Sequence, residues 1–379
     1  MHFLDLAFGF AARGPRFFAD GWGDRALCDA VDPRMLARST IPLLPVALGR
    51  PKKAFGGFLF DGSFESPEAR LPACARTARI SILLPDGDPR AVILHLAASG
   101  DQGFALRLRF AAPLLARGIG AIVLENALYG SRRPPDQVGP AVRSISNLHL
   151  MGSATFQEGR ALLRWIRDTL AVPLAGVTGF SMGGHMAAMV GAAVQFPVAI
   201  VPIAATCSPD APLRDGVLRH VAHWGALAAE GEDAEAARRA LCAHLARFAV
   251  TVLPPPVCTD AAIVVGASAD GIVPPAESLK IAEHWSAELR WLDAGHVSAV
   301  LRRQGEMREA IADAIDGLER SLPSSVRASG GGAPDEAGAA TRSDPDRRRA
   351  RGSSPPPRGA PSSGAGRARR PGRAPAQRT

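Results

Sequence analysis

The 379-residue sequence lacks paired cysteines. Its five (Cys28, Cys74, Cys207, Cys242 and Cys258) are odd in number, scattered, and never in a CxxC arrangement. Neither a disulfide framework nor a zinc site is indicated, and a reducing, cytoplasmic setting is the expectation. A leader pattern is also missing. The opening stretch MHFLDLAFGFAARG is apolar but has no basic n-region, carries Asp5 inside the apolar part, and is too short to span a bilayer. It reads as a buried or half-buried segment, with no transmembrane span. No internal repeat is visible.

Charge of one sign is absent from most of the chain. The formal net charge is +8, yet Ser321 to Thr379 alone holds twelve Arg against four Asp or Glu, which leaves 32 basic and 32 acidic side chains in residues 1–320. A balanced globular part argues against nucleic acid as a specific partner. From about Pro323 large apolar residues are nearly missing, and Pro, Gly, Ser and Arg dominate. Such a segment cannot bury enough surface to offset its conformational entropy, so residues 323–379 are expected to be a disordered tail, either dispensable or a tether to an anionic surface.

What is present is a core: 47% of residues are apolar, enough for one large domain over residues 1–322. Short apolar runs recur at 78–84 (ARISILL), 91–97, 120–126, 173–180, 197–204, 261–267 and 288–294. Between them lie segments such as TFQEGRALLRWIRDTL and PAESLKIAEHW, whose apolar residues repeat at helical spacing. Apolar strands alternating with helices predict an α/β fold with a doubly wound, mostly parallel sheet covered on both faces. Ser208 to Val250 is too long for one crossover, and its helical character suggests an inserted helical cap over about residues 205–258.

Gly179-Phe180-Ser181-Met182-Gly183 fits G-x-S-x-G, directly after one apolar strand and directly before a helix. A strand that turns sharply into a helix holds the central serine in strained geometry, and flanking side chains would collide; glycines relieve that crowding. Ser181 is therefore the candidate nucleophile, and the Met182 N–H at the helix start a candidate oxyanion donor. The bland alternative is a tight turn without chemistry.

A serine hydroxyl needs a base oriented by a carboxylate, expected in the chain order Ser, acid, His on loops after later strands. Asp270 follows the 261–267 run, and His296 follows the 288–294 run. Asp293 is a rival for the acid. His185, one turn past Ser181, reads as packing beneath the elbow, and His95 as a structural residue at a strand end. The other six histidines read as surface or structural, His149 ahead of a helix and His220, His223 and His244 in the presumed cap. The second oxyanion donor is expected at the N–H of Ala97 or Ala98, in the loop after the 91–97 run. Tyr129, the sole tyrosine, lies in a loop on the same face and is either a substrate contact or a packing residue.

HLAASGDQGF, LLARGIGAIVLENALYGSRRPPDQ, GFSMGGHMA and ASADGIVP followed by LRWLDAGHVSAVLRRQG together resemble the alpha/beta-hydrolase domain-containing protein eighteen family, over about residues 10–320. The resemblance implies Ser181 as nucleophile, Asp270 as acid and His296 as base, and suggests a lipid acyl ester as substrate. Two departures stand out: Ala98-Ser99-Gly100-Asp101 where relatives tend to have Gly-Thr-Gly-Asp, and Asn126-Ala127-Leu128-Tyr129-Gly130 where they have Asn-Pro-Tyr-Tyr-Gly. A glycine needing positive φ at position 98 would leave Ala98 strained.

The combined expectation is a serine-dependent carboxylic ester hydrolase acting on a small acyl ester, with no metal or organic cofactor implied. An amide or peptide hydrolase would use the same residues. A non-catalytic binding protein on this fold is the rival of a different class, and the intact Ser, Asp and His argue against it.

Overall fold

The computed structural model describes Asp5 and residues 17–323. The segment read as a tail, from residue 324 onward, lies outside the described residues.

Each of the seven apolar runs forms a strand: β4 (Thr77–Leu84), β5 (Ala91–Leu96), β6 (Ile119–Leu124), β7 (Leu174–Phe180), β8 (Ala199–Ile203), β9 (Ile263–Ala267) and β10 (Glu288–Leu292). Three strands precede them, β1 (Ala47–Leu48), β2 (Lys52–Ala54) and β3 (Gly57–Glu65). The sheet order is β1-β3-β4-β6-β5-β7-β8-β9-β10, with β2 also on β3. From β6 across to β10 all neighbours are parallel, while β3 and β4 pair antiparallel at the other side.

Helices α1 (Arg25–Ala30), α2 (Pro33–Arg38), α3 (Ala105–Ala111), α4 (Ile145–Asp168), α5 (Met182–Ala193), α6 (Ala234–Leu245), α7 (Pro275–Trp285), α8 (His296–Arg302) and α9 (Gln304–Ser321) accompany shorter turns. Successive strand residues serve opposite faces. In β5, Val92 and Leu94 join the core under α4, α5 and α7, whereas Ala91 and Ile93 join the core under α9. That two-sided burial is why β6 reads as an unbroken apolar run and β5 as one broken only by His95. Among the described residues no helix is long and apolar enough to cross a membrane.

Helix α4 begins ten residues before the segment whose periodicity announced it. Ser144 caps it, its Oγ accepting the Asn147 N–H at 3.2 Å. His149 therefore lies within α4, not ahead of it. Residues 204–262, between β8 and β9, make a mostly helical excursion containing α6, and Leu213, Leu241 and Leu245 from it pack with Phe18, Cys28 and Ile145.

The chain passes from β5 to β6 on one side and then returns to place β7 on the other side of β5. The crevice at the carboxyl ends of β5 and β7 is thus a topological switch point, where α/β sheets hold ligands. Leu96 and Gly179 are register partners there.

Candidate active site

Ser181 sits alone between β7 and α5 with φ 57° and ψ −119°, a conformation that L-residues rarely adopt. Its N–H donates to the Ile203 carbonyl at 2.8 Å, and its carbonyl accepts the His185 N–H at 3.0 Å, so strand β8 and helix α5 both hold the strained residue. The glycines are explained by crowding. A Cβ on Gly179 would meet the Gly183 backbone at 2.4 Å, one on Gly183 would meet the Leu96 carbonyl oxygen at 2.4 Å, and one on Gly184 would meet the Ile203 carbonyl oxygen at 2.8 Å.

Two loops at the same sheet edge meet near this turn. Asp270 is buried, with Oδ1 accepting the N–H groups of Ile272 and Val273, both at 2.8 Å. Its Oδ2 accepts from His296 Nδ1 at 2.6 Å. That bond fixes the imidazole with the proton on Nδ1 and leaves Nε2 as the acceptor. The His296 ring packs on Phe180, centroids 4.7 Å apart, directly before Ser181 in sequence. Asp293, the rival acid, is exposed, and its recorded contact is a backbone one, its carbonyl accepting from Arg303.

The loop after β5 carries Ala97 and Ala98, with Leu96 and Ala97 lying where a side chain on Gly183 would go. Arg107 braces this loop: it donates to the carbonyls of His95 at 2.9 Å, Leu124 at 2.5 Å and Gly103 at 2.7 Å, and pairs with Asp101 at 2.7 Å. Positive φ falls on Gly100 and Gly103, not on Ala98, so the alanine is unstrained where relatives have glycine. Tyr129 is fully buried, and its hydroxyl accepts the Gly100 N–H at 3.4 Å, propping the loop from below. Burial pushes the Tyr129 phenol up from its ordinary pKa.

A family model described as alpha/beta hydrolase domain containing 18 matches residues 15–246 and 228–317. The chain belongs to this family. Among solved structures, acetyl xylan esterase 1 from Thermoanaerobacterium sp. JW/SL YS485 is similar at TM-score 0.54 and 16% identity, over 81% of this chain and 98% of that one. The acetyl xylan esterase from Paenibacillus sp. R4 is similar at TM-score 0.52 and 14% identity, over 80% of this chain and 98% of that one. At such identities the likeness is one of fold: an α/β-hydrolase sheet with helices on both sides.

In this family member an apolar cavity of about 120 Å³ opens beside the elbow. Met182, Met186 and Met189, on one face of α5, form one wall; Met151 and Phe156 of α4 form another. Leu245 and Phe248 of the excursion, with Val31 and Leu36 from before β1, close the rest. No sequence signal marked this cavity, because its walls come from separate stretches.

His185 also borders the cavity and donates from Nδ1 to the Thr206 carbonyl at 3.0 Å, so its Nε2 is the free acceptor. Burial depresses its pKa to about 4. His149 Nε2 lies 2.8 Å from His244 Nε2, and desolvation together with that neighbour brings His149 to about 3. Desolvation and the Arg107 charge likewise bring His95 to about 3. These three are neutral at neutral pH. Beneath the loop after β6, Arg132 and Glu158 form a fully buried bidentate pair at 2.6 and 3.0 Å, which ties that loop to α4.

Proposed function

We propose that this family member is a serine hydrolase of carboxylic esters that works through an acyl-enzyme intermediate. The observation that carries the reading is the Asp270–His296 bond of 2.6 Å, made by a carboxylate whose other oxygen is held by two backbone N–H groups, with the imidazole in tilted contact with the ring of the residue before Ser181. His296 Nε2 takes the proton of Ser181 Oγ as Oγ bonds to the acyl carbon. The oxyanion accepts from the Met182 N–H and from the N–H of Ala97 or Ala98. Collapse expels the alkoxide, which leaves with the proton from His296. A water then attacks the acyl group, His296 takes its proton, and Ser181 is released with that proton as the acid departs.

Asp270 keeps the imidazole in the productive tautomer and stabilises the imidazolium. Tyr129 acts by supporting the oxyanion loop, not by touching substrate. The apolar, methionine-walled cavity next to Met182 suits an aliphatic acyl group, since methionine adapts to flexible apolar partners. A lipid-like acyl ester is the substrate class it favours, with the helical excursion as the cap that closes over the acyl chain.

The test is labelling with a fluorophosphonate, followed by peptide mapping. The expected result is an adduct at Ser181, abolished in Ser181→Ala and strongly slowed in His296→Ala, with both variants folded. Folded wild-type protein that takes no label at Ser181, under conditions that label a known serine esterase, overturns the reading.

A further inference from the structure

We infer that Asp5 is a positioning residue of this site, locking the acid loop to the helix that begins with the base; the inference rests on the triad reading above. The Asp5 side chain is fully buried. Its Oδ2 accepts the N–H of Gly271 at 2.9 Å and the N–H of His296 at 2.9 Å, and its Oδ1 accepts the N–H of Val297 at 2.9 Å. Gly271 directly follows Asp270, and His296 is the base itself. A single carboxylate oxygen thus joins the two loops that must keep the imidazole and its acid in register.

The local chemistry explains why an outside residue is used. Helix α8 starts at His296 behind Gly295, which has no side chain to take the first N–H groups of the helix. Asp5 caps them from 291 residues away in sequence. In the acid loop the Ile272 and Val273 N–H groups are taken by Asp270, and the Gly271 N–H goes to Asp5. A buried carboxylate is costly unless its oxygens are hydrogen-bonded, and bonds to an ionised acceptor are strong. Three converging backbone donors meet that condition. Neither loop can move without stretching a bond to the same carboxylate, and misplacing a catalytic group by about 1 Å lowers rates roughly 100-fold.

The experiment uses the full chain with Asp5→Ala and Asp5→Asn, the latter keeping the shape and one acceptor. Melting temperature, kcat and KM on a soluble p-nitrophenyl acyl ester, and the rate of fluorophosphonate labelling at Ser181 are measured well below each melting temperature. In Asp5→Ala both kcat and the labelling rate are expected to fall about 10- to 100-fold, with KM little changed. Asp5→Asn is expected between Asp5→Ala and wild type. Should Asp5→Ala fail to fold, Asp5→Asn carries the test by the same split. Folded variants that turn over and label at the wild-type rate, whatever their melting temperature, overturn the inference and leave the triad reading standing. A wild-type chain that takes no label overturns both.

Discussion

Gly183 and Leu96 stand so close that a Cβ on Gly183 would lie 2.4 Å from the Leu96 carbonyl oxygen. The first turn of α5 and the loop after β5 are therefore packed backbone to backbone, and the candidate nucleophile and candidate oxyanion loop hold their spacing through that contact. In Gly183→Ala something must shift. Stability is expected to fall by about 1–3 kcal/mol, as overpacking does, with a slower fluorophosphonate reaction. Denaturant midpoints and labelling rates check this; wild-type values for both would refute it.

Asp270→Asn is expected to lower kcat by about 10⁴-fold, because an amide in place of Oδ2 favours the wrong imidazole tautomer. Asp293→Asn should change it only modestly, since Asp293 is exposed and His296 already pairs with Asp270. Steady-state kinetics on one soluble ester decide the matter, and the reverse order would move the acid role to Asp293.

Met186→Trp adds bulk to the cavity beside the elbow and leaves Ser181, Asp270 and His296 unsubstituted. Turnover of long-chain acyl esters is expected to drop relative to acetyl esters by roughly 10- to 200-fold in kcat/KM, the range for a misfit in an apolar pocket. An unchanged chain-length profile would place the acyl group elsewhere.

Glu158→Ala leaves Arg132 charged and buried without its carboxylate. Removing one partner of such a pair costs about 3–5 kcal/mol, so a large fall in the unfolding free energy is expected. A loss typical of a surface substitution would show that the pair is replaceable.

His95 is held neutral in the fold, with its pKa brought to about 3. As pH falls below the ordinary histidine value, the unfolded chain takes the proton first, so stability is full above about pH 6.5 and declines as pH drops toward the folded value. His95→Leu removes that linkage. Its loss of unfolding free energy between pH 7 and pH 5 is expected to be about 2 kcal/mol smaller than that of wild type. Equal losses would count against a neutral buried His95.

The inner strands were legible because burial on both faces leaves nearly continuous apolar runs, as in IGAIVL and in AVILHL with its one histidine, and the edge strand β10 as a shorter, mixed run, ELRWL. Ser181, Asp270 and His296 were legible because each follows such a run, where a parallel sheet brings its loops to one edge. β1 to β3 were not: β3 mixes buried and half-exposed positions, and β1 and β2 are two and three residues long. Tyr129 left two alternatives open, since nothing local in the sequence says where its hydroxyl points. Asp5 showed in the sequence only as a charge that argues against a leader segment, and no local pattern names donors near the other end of the chain. The start of α4 was hidden because Gly152 and Ser153 interrupt its apolar repeat.

Apart from the α5 face, which begins directly after Ser181, the walls of the cavity come from stretches the chain visits before β1, between β6 and β7, and between β8 and β9, whereas the candidate reacting groups stand at strand ends. Under the proposed reaction, inherited change can therefore accumulate in those three stretches while the reaction chemistry is left alone. Members of the family that share the Ser, Asp and His of this chain would then diverge in what they accept long before they diverge in what they do to it. Grafting the wall segments of one member onto the sheet of another is the corresponding route to a new preference with the old reaction.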